Sequence, residues 1–497
     1  MSFSAPPAPA RPDSPATRWS AAEQAVLGLL LLLALGLRLR LGQNWTFAGS
    51  DSYAYLGAAR ELAEHHRYAF RLPDWYPDHS TVPPLGYCRL PGYPLFLSVV
   101  AFLAHRGWPA LGAYELIFSR VKVAQAVLDV GSCLLVYLLA RRLAGVRAAR
   151  VGLVGAALCP PLVMFANSVL TEALATMLTT LYIVLLALVL QASAAGPKPL
   201  RHRLWMASSA VLALGCLVRI DTLFLLPTLL FPVAMRGREA LRQLPGLVLT
   251  FVVCFAPWPI RNQISLGHPH PLGGQCDIRG NAMPHTSFFA WFATWVSRED
   301  ETPPTLYCLF RRECVATTKT YPPTAFDSPA EREALQSLFD LRQREGMSAD
   351  VDAGFRRLAT ERLRRHPLRT LIWLPLKRAF FLWLTPIDQP LRATSRLPGP
   401  DFLKYVRTPI LYTQILIFGL GLVGLWRAAC TSRLRAFAGL AAACLVLRTG
   451  ALAAIGFVEN RYVLELFPLF LVLVGVALAP RQALSLSGAG VPNSDVK

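Results

Sequence analysis

The chain has 497 residues, of which 54% are hydrophobic and only 16% are charged. Apolar runs such as AVLGLLLLLALGL hold more apolar surface than the core of one soluble protein can bury, which excludes an ordinary soluble enzyme. The formal net charge of +20 would suit a nucleic-acid-binding protein. However, the Arg and Lys residues lie in short clusters between apolar runs, as they do in cytoplasmic loops beside anionic lipid. The sequence therefore predicts an all-α polytopic membrane protein that binds no nucleic acid.

The apolar runs predict where the chain crosses the membrane, because a crossing needs about twenty mostly apolar residues. The run 204–235 is long enough for two short crossings, with Arg219 and Asp221 at their turn. Two further pieces, PLFLSVVAFLA and TLIWLPLKRAFFLWL, are expected to lie at or dip into the interface, the second because Lys377 and Arg378 interrupt it. The total is about ten to thirteen crossings, depending on these pieces. The other crossings are expected near residues 20–40, 118–140, 148–166, 169–192, 244–261, 408–427, 436–457 and 462–480.

The basic clusters predict the orientation of these spans, because cytoplasmic loops carry an excess of Arg and Lys. Four clusters agree with a cytoplasmic N-terminus, whereas Arg38 and Arg40 would lie at the outward end of the first span, where they snorkel or meet an anionic ligand. The four clusters lie in residues 141–150, 198–203, 236–242 and 427–435. The expected organisation is a disordered cytoplasmic arm (1–19), an N-terminal transmembrane module (20–262) with a first outer loop (42–93), an extracytoplasmic loop domain (263–370), an interfacial helix with the C-terminal transmembrane helices (371–480), and a cytoplasmic tail (481–497).

Ionisable residues at the ends of separate spans should meet at the outer surface. Charges inside a membrane are rare and usually line a cavity or pathway, although each taken singly could be a helix-end residue that snorkels to water. Few carboxylates among many arginines suit a site that deprotonates a neutral nucleophile and holds an anionic phosphate. An ion-coupled transporter would more often show acids and histidines through the bilayer midplane. These residues are Asp51, Arg120, Glu172, Arg219, Asp221, Arg261, Glu459 and Arg461.

Six segments give the chain a resemblance to a known family. SDSYAYLGAARELAEH, RLPGYPLFLSVV, ANSVLTEAL, CLVRIDTLFLLP, APWPIRNQISLG and ENRYVLELFPLFLVL occur in the order seen in bacterial GT-C glycosyltransferases of family 39. This group includes protein O-mannosyltransferases and lipid A aminoarabinose transferases. The resemblance implies a GT-C-type bundle that transfers a sugar from a polyprenyl-phosphate carrier to a hydroxyl acceptor (lipid, glycan or protein) outside the cytoplasm. The enzyme would lie in the bacterial plasma (inner) membrane.

The resemblance also implies roles for individual residues. Asp51 matches the family's catalytic acid and would act as general base in an inverting transfer, although it could instead cap the helix expected from Tyr53. Ser52 follows it where the family's mannosyltransferases often carry a second acid, which leaves the subgroup open. The expected substrate-binding residues are Tyr53, Tyr55, Arg89, Tyr93, Arg120, Glu172, Arg219, Asp221, Arg261, Asn262, Lys377, Arg378, Arg461 and Tyr462.

Several alternatives stay open at this stage. A polyprenyl-linked sugar flippase would share the spans and the arginines, and a non-catalytic scaffold would use the loops for docking. No cofactor is assigned, and a divalent metal ion is left open because the pair His268 and His270 is too short a motif to assign a site. Cys88 and three later cysteines lie in polar loops where a disulfide could form. The sequence identifies neither the sugar nor the acceptor.

Overall fold

A computed structural model of the chain describes residues 19–44, 50–69, 86, 88–105, 114–191, 198–273, 286–301, 315, 317–392, 400–456 and 459–480. Every regular element in these residues is a helix. Most of the predicted N-terminal arm and all of the predicted tail 481–497 lie outside the described residues, so both remain predictions, as do the domain boundaries.

The N-terminal half contains eleven α-helices and one long 3-10 helix. They are α1 (Ala21–Asn44), α2 (Ser50–His65), α3 (Gly92–His105), α4 (Tyr114–Leu158), α5 (Pro160–Ala166), α6 (Glu172–Gln191), α7 (Lys198–Val218), the 3-10 helix Ile220–Leu230, α8 (Phe231–Arg236), α9 (Arg238–Leu241), α10 (Leu244–Phe255) and α11 (Pro257–Leu266).

The C-terminal half begins with helices that pack outside the bundle and ends with three that pack into it. They are α12 (Ser287–Phe292), α13 (Pro329–Glu345), α14 (Ala349–Arg365), α15 (Leu374–Leu384), α16 (Gln389–Arg392), α17 (Pro400–Cys430), α18 (Arg435–Ile455), the 3-10 helix Asn460–Leu466 and α19 (Phe467–Leu478). A short π-helix, Arg369–Trp373, leads into α15.

Six helices in the described residues are long and apolar enough to cross a membrane, and α10 with α11 adds a seventh if this bent pair is one span. The chain is therefore a multi-pass membrane protein. The expected count of about ten to thirteen also included shorter pieces, among them the apolar helices Gly92–Leu103 and Ile220–Met235. The expected count also placed two crossings, near residues 118–140 and 148–166, in a region that is largely the single element α4.

The helix α4 reverses direction inside its length, which supports the two crossings expected there. Gly145 has φ +85° and ψ −177°, a conformation that is open almost only to glycine. After this point the chain runs back beside itself, since a Cβ on Gly152 would lie 3.1 Å from Val136 Cγ1 and 3.8 Å from Ala140 Cβ. The turn coincides with the basic cluster 141–150, as a cytoplasmic loop between two spans should.

The four basic clusters gather at one end of the bundle. Arg433 donates to the carbonyl of Arg142, and Arg142 donates to Gln191 at the end of α6. His202 in the second cluster lies 3.2 Å from Gln243, next to the third. The bundle therefore has one strongly basic end in the described residues, and the side of the membrane that this end faces stays a prediction.

Arg38 is buried inside the bundle, and neither of the roles expected for it fits. It has no exposed surface, its Nε lies 2.5 Å from Asp129 Oδ2, and its terminal nitrogens donate to the carbonyls of Ala34, Ala156 and Ala157. It therefore joins α1 to both arms of α4. Asp129 is its counterion.

A smaller helical domain packs outside the bundle around aromatic side chains. Its core contains Phe288, Trp291, Phe339 and Phe355, and α13 is formed by the charged segment PAEREALQSLFDLRQRE. Ser328 caps α13 by accepting a hydrogen bond from the Glu331 amide, while Glu331 accepts one from the Asp327 amide. The arrangement differs from a standard capping box in that Glu331 accepts from the residue before the N-cap and not from the N-cap amide. The other core residues of the domain are Phe292, Trp295, Val296, Tyr321, Ala325, Leu335, Val351, Leu358 and Ala359.

The Arg38–Asp129 pair provides a stability test. Arg38→Met should lower the unfolding free energy by about 3–5 kcal/mol, because it leaves the Asp129 carboxylate buried and unpaired. The double variant Arg38→Met with Asp129→Leu should recover most of that loss. Thermal unfolding of detergent-purified protein measures both effects, with the exposed Arg40→Met as the matched control. A single variant as stable as the control would contradict the structural role of the pair.

Candidate active site

Charged side chains from distant parts of the chain meet at the end of the bundle opposite the basic clusters. They come from the start of α2, the segment just before α3, the start of α6, the turn after α7, α18, and the segment that precedes α19. Their ion pairs join them into one network, which we call the charged cluster. It consists of Asp51, Arg89, Glu172, Arg219, Asp221, Arg448, Glu459, Arg461 and Glu465.

Asp51 lies between two arginines. The helix α2 begins at Ser50, three residues before the expected start at Tyr53. Asp51 therefore lies in the first turn of the helix and does not precede it as a cap. Its Oδ1 pairs with Arg89, and its Oδ2 lies 3.5 Å from Arg461 Nη2. Burial alone would raise the pKa of Asp51, but the positive charges of Arg89 and Arg461 outweigh burial and hold that pKa below its usual value. Asp51 is therefore a carboxylate with both oxygens engaged.

Arg461 connects the Asp51 end of the cluster to its interior. It pairs with Glu459 two residues earlier, and its Nη1 lies 3.4 Å from Glu172 Oε1. Its guanidinium also stacks near the Tyr462 ring, 5.5 Å from the ring centroid. Residues 51 and 461 are 410 positions apart in the chain, yet they lie within one ion pair of each other.

Arg219 is the centre of the inner half of the cluster. It lies 3.3 Å from Glu172, 3.1 Å from Asp221 and 3.1 Å from Glu465. Its guanidinium also covers the ring of Tyr462 at 4.4 Å, a distance suited to a cation–π contact. Because Arg219 has an extended backbone between α7 and the following 3-10 helix, its side chain turns toward the segment that precedes α19.

The sequence reasoning missed Arg448 and Glu465. Arg448 lies in the middle of α18 with no exposed surface, and its Nη2 lies 2.8 Å from both Asp221 Oδ2 and Glu465 Oε2. A single arginine inside an apolar span was the available signal, because such a residue needs a buried partner. Arg448 lies within the apolar run AAACLVLRTGALAAI, which by itself predicts only a membrane span.

Arg261 and Asn262 were expected at the substrate site, but the structure uses them to fix a loop. Arg261 donates to the carbonyls of Tyr68 and Gly86, and its guanidinium lies 5.4 Å from the Tyr68 ring. Asn262 has no exposed surface; it accepts from Arg261 and donates to the carbonyl of His270. The two residues therefore anchor the outer loops beside α11.

Arg378 and Lys377 were also expected to reach the phosphate from an interfacial helix. Arg378 is instead buried and donates to the carbonyls of Ala293, Val296 and Ala453. It therefore joins the smaller helical domain, just after α12, to α18. Lys377 is half-buried on the same helix, and the ion pairs that define the charged cluster include neither of them. Leu382 and Trp383 of α15 are buried in the main core, so the predicted interfacial helix packs against the bundle.

The expected aromatic residues take two different positions. Tyr93 is fully buried, its hydroxyl lies 2.6 Å from Gln125 Oε1, and its ring packs edge-on against Tyr55. Tyr55 lies under the guanidinium of Arg89 at 5.5 Å, so it borders the charged cluster. Tyr53 packs against Phe118 instead.

Two further expectations concern Arg120 and a metal ion. Arg120 is half-buried on α4 and takes no part in the ion pairs that define the charged cluster. Among the described residues, no group of three or more His, Cys, Asp or Glu side chains is arranged to hold a metal ion.

The role of Arg261 can be checked by its effect on stability. Arg261→Gln should destabilise the protein and increase protease cleavage of the outer loops, because the carbonyls of Tyr68 and Gly86 lose a charged donor, at a cost of about 1–3 kcal/mol. Limited proteolysis with mass mapping and thermal unfolding measure this. Arg67→Gln is the control, since Arg67 pairs with Glu61 near the same loop. Unchanged loop protection would show that Arg261 is not the anchor.

Part of the chain matches a known protein family. The family model described as dolichyl-phosphate-mannose-protein mannosyltransferase matches residues 117–260. This region includes Glu172, Arg219 and Asp221 of the charged cluster. A search of curated proteins found no significant match.

Two solved structures are similar to this chain at 14% sequence identity. ArnT from Cupriavidus metallidurans, bound to undecaprenyl phosphate, aligns with 93% of this chain and 78% of its own, with a TM-score of 0.41. AglB from Archaeoglobus fulgidus, an archaeal oligosaccharyltransferase in complex with an inhibitory peptide and a dolichol-phosphate, aligns with 92% of this chain and 50% of its own, with a TM-score of 0.45. This chain thus spans about half the length of the archaeal protein. The family match thus covers residues 117–260 of an all-helical chain whose described residues have the composition of a multi-pass membrane protein.

Proposed function

We propose that this enzyme transfers a sugar from a polyprenyl-phosphate-linked donor to a hydroxyl acceptor on the extracytoplasmic side of the bacterial plasma membrane. Asp51 acts as general base, and the anomeric carbon is inverted. The observation that carries this proposal is the contact of Asp51 with Arg89 and Arg461 at the rim of the charged cluster. It pairs a proton acceptor with two groups that bind phosphate. Undecaprenyl phosphate and dolichol-phosphate are the lipids named for the ArnT and AglB structures, and for this chain that lipid class is part of the proposal.

Two observations support an extracytoplasmic site. The charged cluster lies at the end of the bundle opposite the four basic clusters, and loops rich in Arg and Lys stay on the cytoplasmic side. In addition, Cys88 is disulfide-bonded, next to Arg89 at the rim of the cluster. Disulfides persist in oxidising compartments rather than in the cytosol.

The resting contacts suggest how the sugar donor prepares the base. Each oxygen of Asp51 is in contact with an arginine, and these contacts reduce the capacity of the carboxylate to accept the proton of an incoming hydroxyl. The side chain of Arg89 is 39% exposed and that of Arg461 only 12% exposed, so the phosphate of the sugar donor reaches Arg89 first. Guanidinium binds phosphate oxygens in a bidentate manner, which draws Arg89 from Asp51 and frees Oδ1.

The transfer itself then needs one displacement. The acceptor hydroxyl gives its proton to Asp51, and its oxygen forms a bond to the anomeric carbon. The bond between that carbon and the phosphate oxygen breaks, and its electron pair leaves with the lipid phosphate, whose charge Arg89 and Arg461 stabilise. Because attack and departure occur on opposite faces of the sugar, the anomeric configuration inverts, by the geometry that also governs inverting glycosidases.

The assignment of Asp51 can be tested directly. Asp51→Asn should reduce transfer by about 10²–10⁴-fold, the usual contribution of a general base, while the protein remains folded and binds the sugar donor. The assay follows the release of lipid phosphate from labelled polyprenyl-phosphate sugars by detergent-purified protein, with a panel of hydroxyl acceptors. Glu64→Gln, an exposed acid on the same helix, is the matched control. Near-normal transfer by Asp51→Asn would remove the base assignment, and movement of the lipid without release of lipid phosphate would favour a flippase.

The pH profile provides an independent test. In the wild type the arginines hold the pKa of Asp51 below its usual value, so Asp51 stays ionised and activity falls only when the pH drops through that low pKa. Arg89→Gln removes a positive charge, raises the pKa of Asp51, and should shift the acidic limb of kcat/KM to higher pH. Arg67→Gln controls for the loss of an outer arginine. An acidic limb at the same pH in both variants would mean that the limb reports another group.

A further inference from the structure

Arg448 makes contacts that a membrane span does not require. It lies inside α18, and its side chain has no exposed surface. Its Nη2 is shared between Asp221 and Glu465 at 2.8 Å each, and its Nε donates to the carbonyl of Tyr462 at 3.3 Å. The residue thus ties α18 to the turn after α7 and to the segment that precedes α19.

The two acids that Arg448 holds are also the acids that hold Arg219. Asp221 and Glu465 each lie 3.1 Å from the guanidinium of Arg219. With these acids on one side, the guanidinium is directed toward Glu172 and lies over the ring of Tyr462. Asp221 and Glu465 therefore lie between Arg219 and Arg448, and Arg448 is further from the rim of the cluster.

Stability alone gives a poor account of this arrangement. Burying several charges costs solvation energy, and replacing a buried ion pair with apolar residues is often neutral or stabilising. The network is also incompletely satisfied, because Arg448 Nη1 lacks a hydrogen-bond partner among the described residues. Without Arg448, the ion pairs of Asp221 and Glu465 within the charged cluster would be those with Arg219 alone. A second cation neutralises the remaining negative charge and fixes both carboxylates.

We infer that Arg448 is a positioning residue for the transfer reaction. It fixes Asp221 and Glu465, these acids orient Arg219, and Arg219 with Glu172 sets the position of Arg461 beside Asp51. The inference rests on the proposed function, in which the arginines receive the phosphate of the sugar donor. Losing Arg448 should therefore weaken binding of the sugar donor more than it slows the chemical step.

Three variants separate positioning from simple structural support. Arg448→Met removes the cation, Arg448→Lys restores a positive charge that can meet both carboxylates, and Arg448→Met with Glu465→Gln removes one charge of each sign. We expect the KM for the sugar donor to rise about tenfold in Arg448→Met, with kcat changed by less than threefold. Arg448→Lys should recover most of the affinity. The double variant should recover thermal stability but not the KM.

The double variant decides the question. If Arg448 only neutralises buried charge, the double variant regains both stability and the wild-type KM, and the inference fails. A rise in KM that Arg448→Lys does not reduce would also overturn it.

Hydrogen exchange of the substrate-free protein adds a readout that needs no activity. Faster exchange at the backbone amides of residues 219–222 is expected in Arg448→Met and in the double variant, with protection restored in Arg448→Lys. Unchanged exchange in all three variants would refute positioning. If the wild type turns over no polyprenyl-phosphate sugar, the proposed function is refuted instead. The hydrogen-exchange results would still test whether Arg448 fixes residues 219–222.

Discussion

Charges buried at one end of a helical bundle can be tolerated only if they neutralise one another, and the rest of this structure is arranged around that requirement. Five carboxylates, on Asp51, Glu172, Asp221, Glu459 and Glu465, share four guanidinium groups, on Arg89, Arg219, Arg448 and Arg461. Each arginine is shared by at least two carboxylates or by a carboxylate and an aromatic ring. Helices from both halves of the chain must therefore meet at this level.

This shared arrangement also bears on chemistry. An arginine already bound to a carboxylate can exchange that partner for a phosphate without a change in its own charge. The exposure of the arginines decreases from the rim of the cluster to its interior: Arg89 at the rim is partly exposed, whereas Arg448 is fully buried. The outer members are thus placed to meet a ligand, and the inner members hold them in position.

Other buried arginines show that charge in a membrane protein need not indicate a substrate site. Arg38 pairs with Asp129 and donates to backbone carbonyls. Arg378 donates to carbonyls of the smaller helical domain and of α18. Both join elements that would otherwise leave backbone acceptors unpaired in a dry environment, which costs several kcal/mol per group. The guanidinium suits this role because its five donors can serve several acceptors at once.

The sequence by itself determined the membrane class, the orientation signals and much of the charged cluster. Apolar runs must be about twenty residues long to cross a bilayer, and an ionisable residue within them is rare enough to mark Asp51, Glu172, Arg219, Asp221 and Arg461. Only the tertiary structure decided which charges face one another. Arg261 and Arg378 looked equivalent to Arg461 in the sequence, but they bind backbone carbonyls, while Arg448 lay unnoticed in an apolar run. The physical reason is that the partner of a buried charge depends on which helices pack together, and residues 410 positions apart in the chain meet only after that packing.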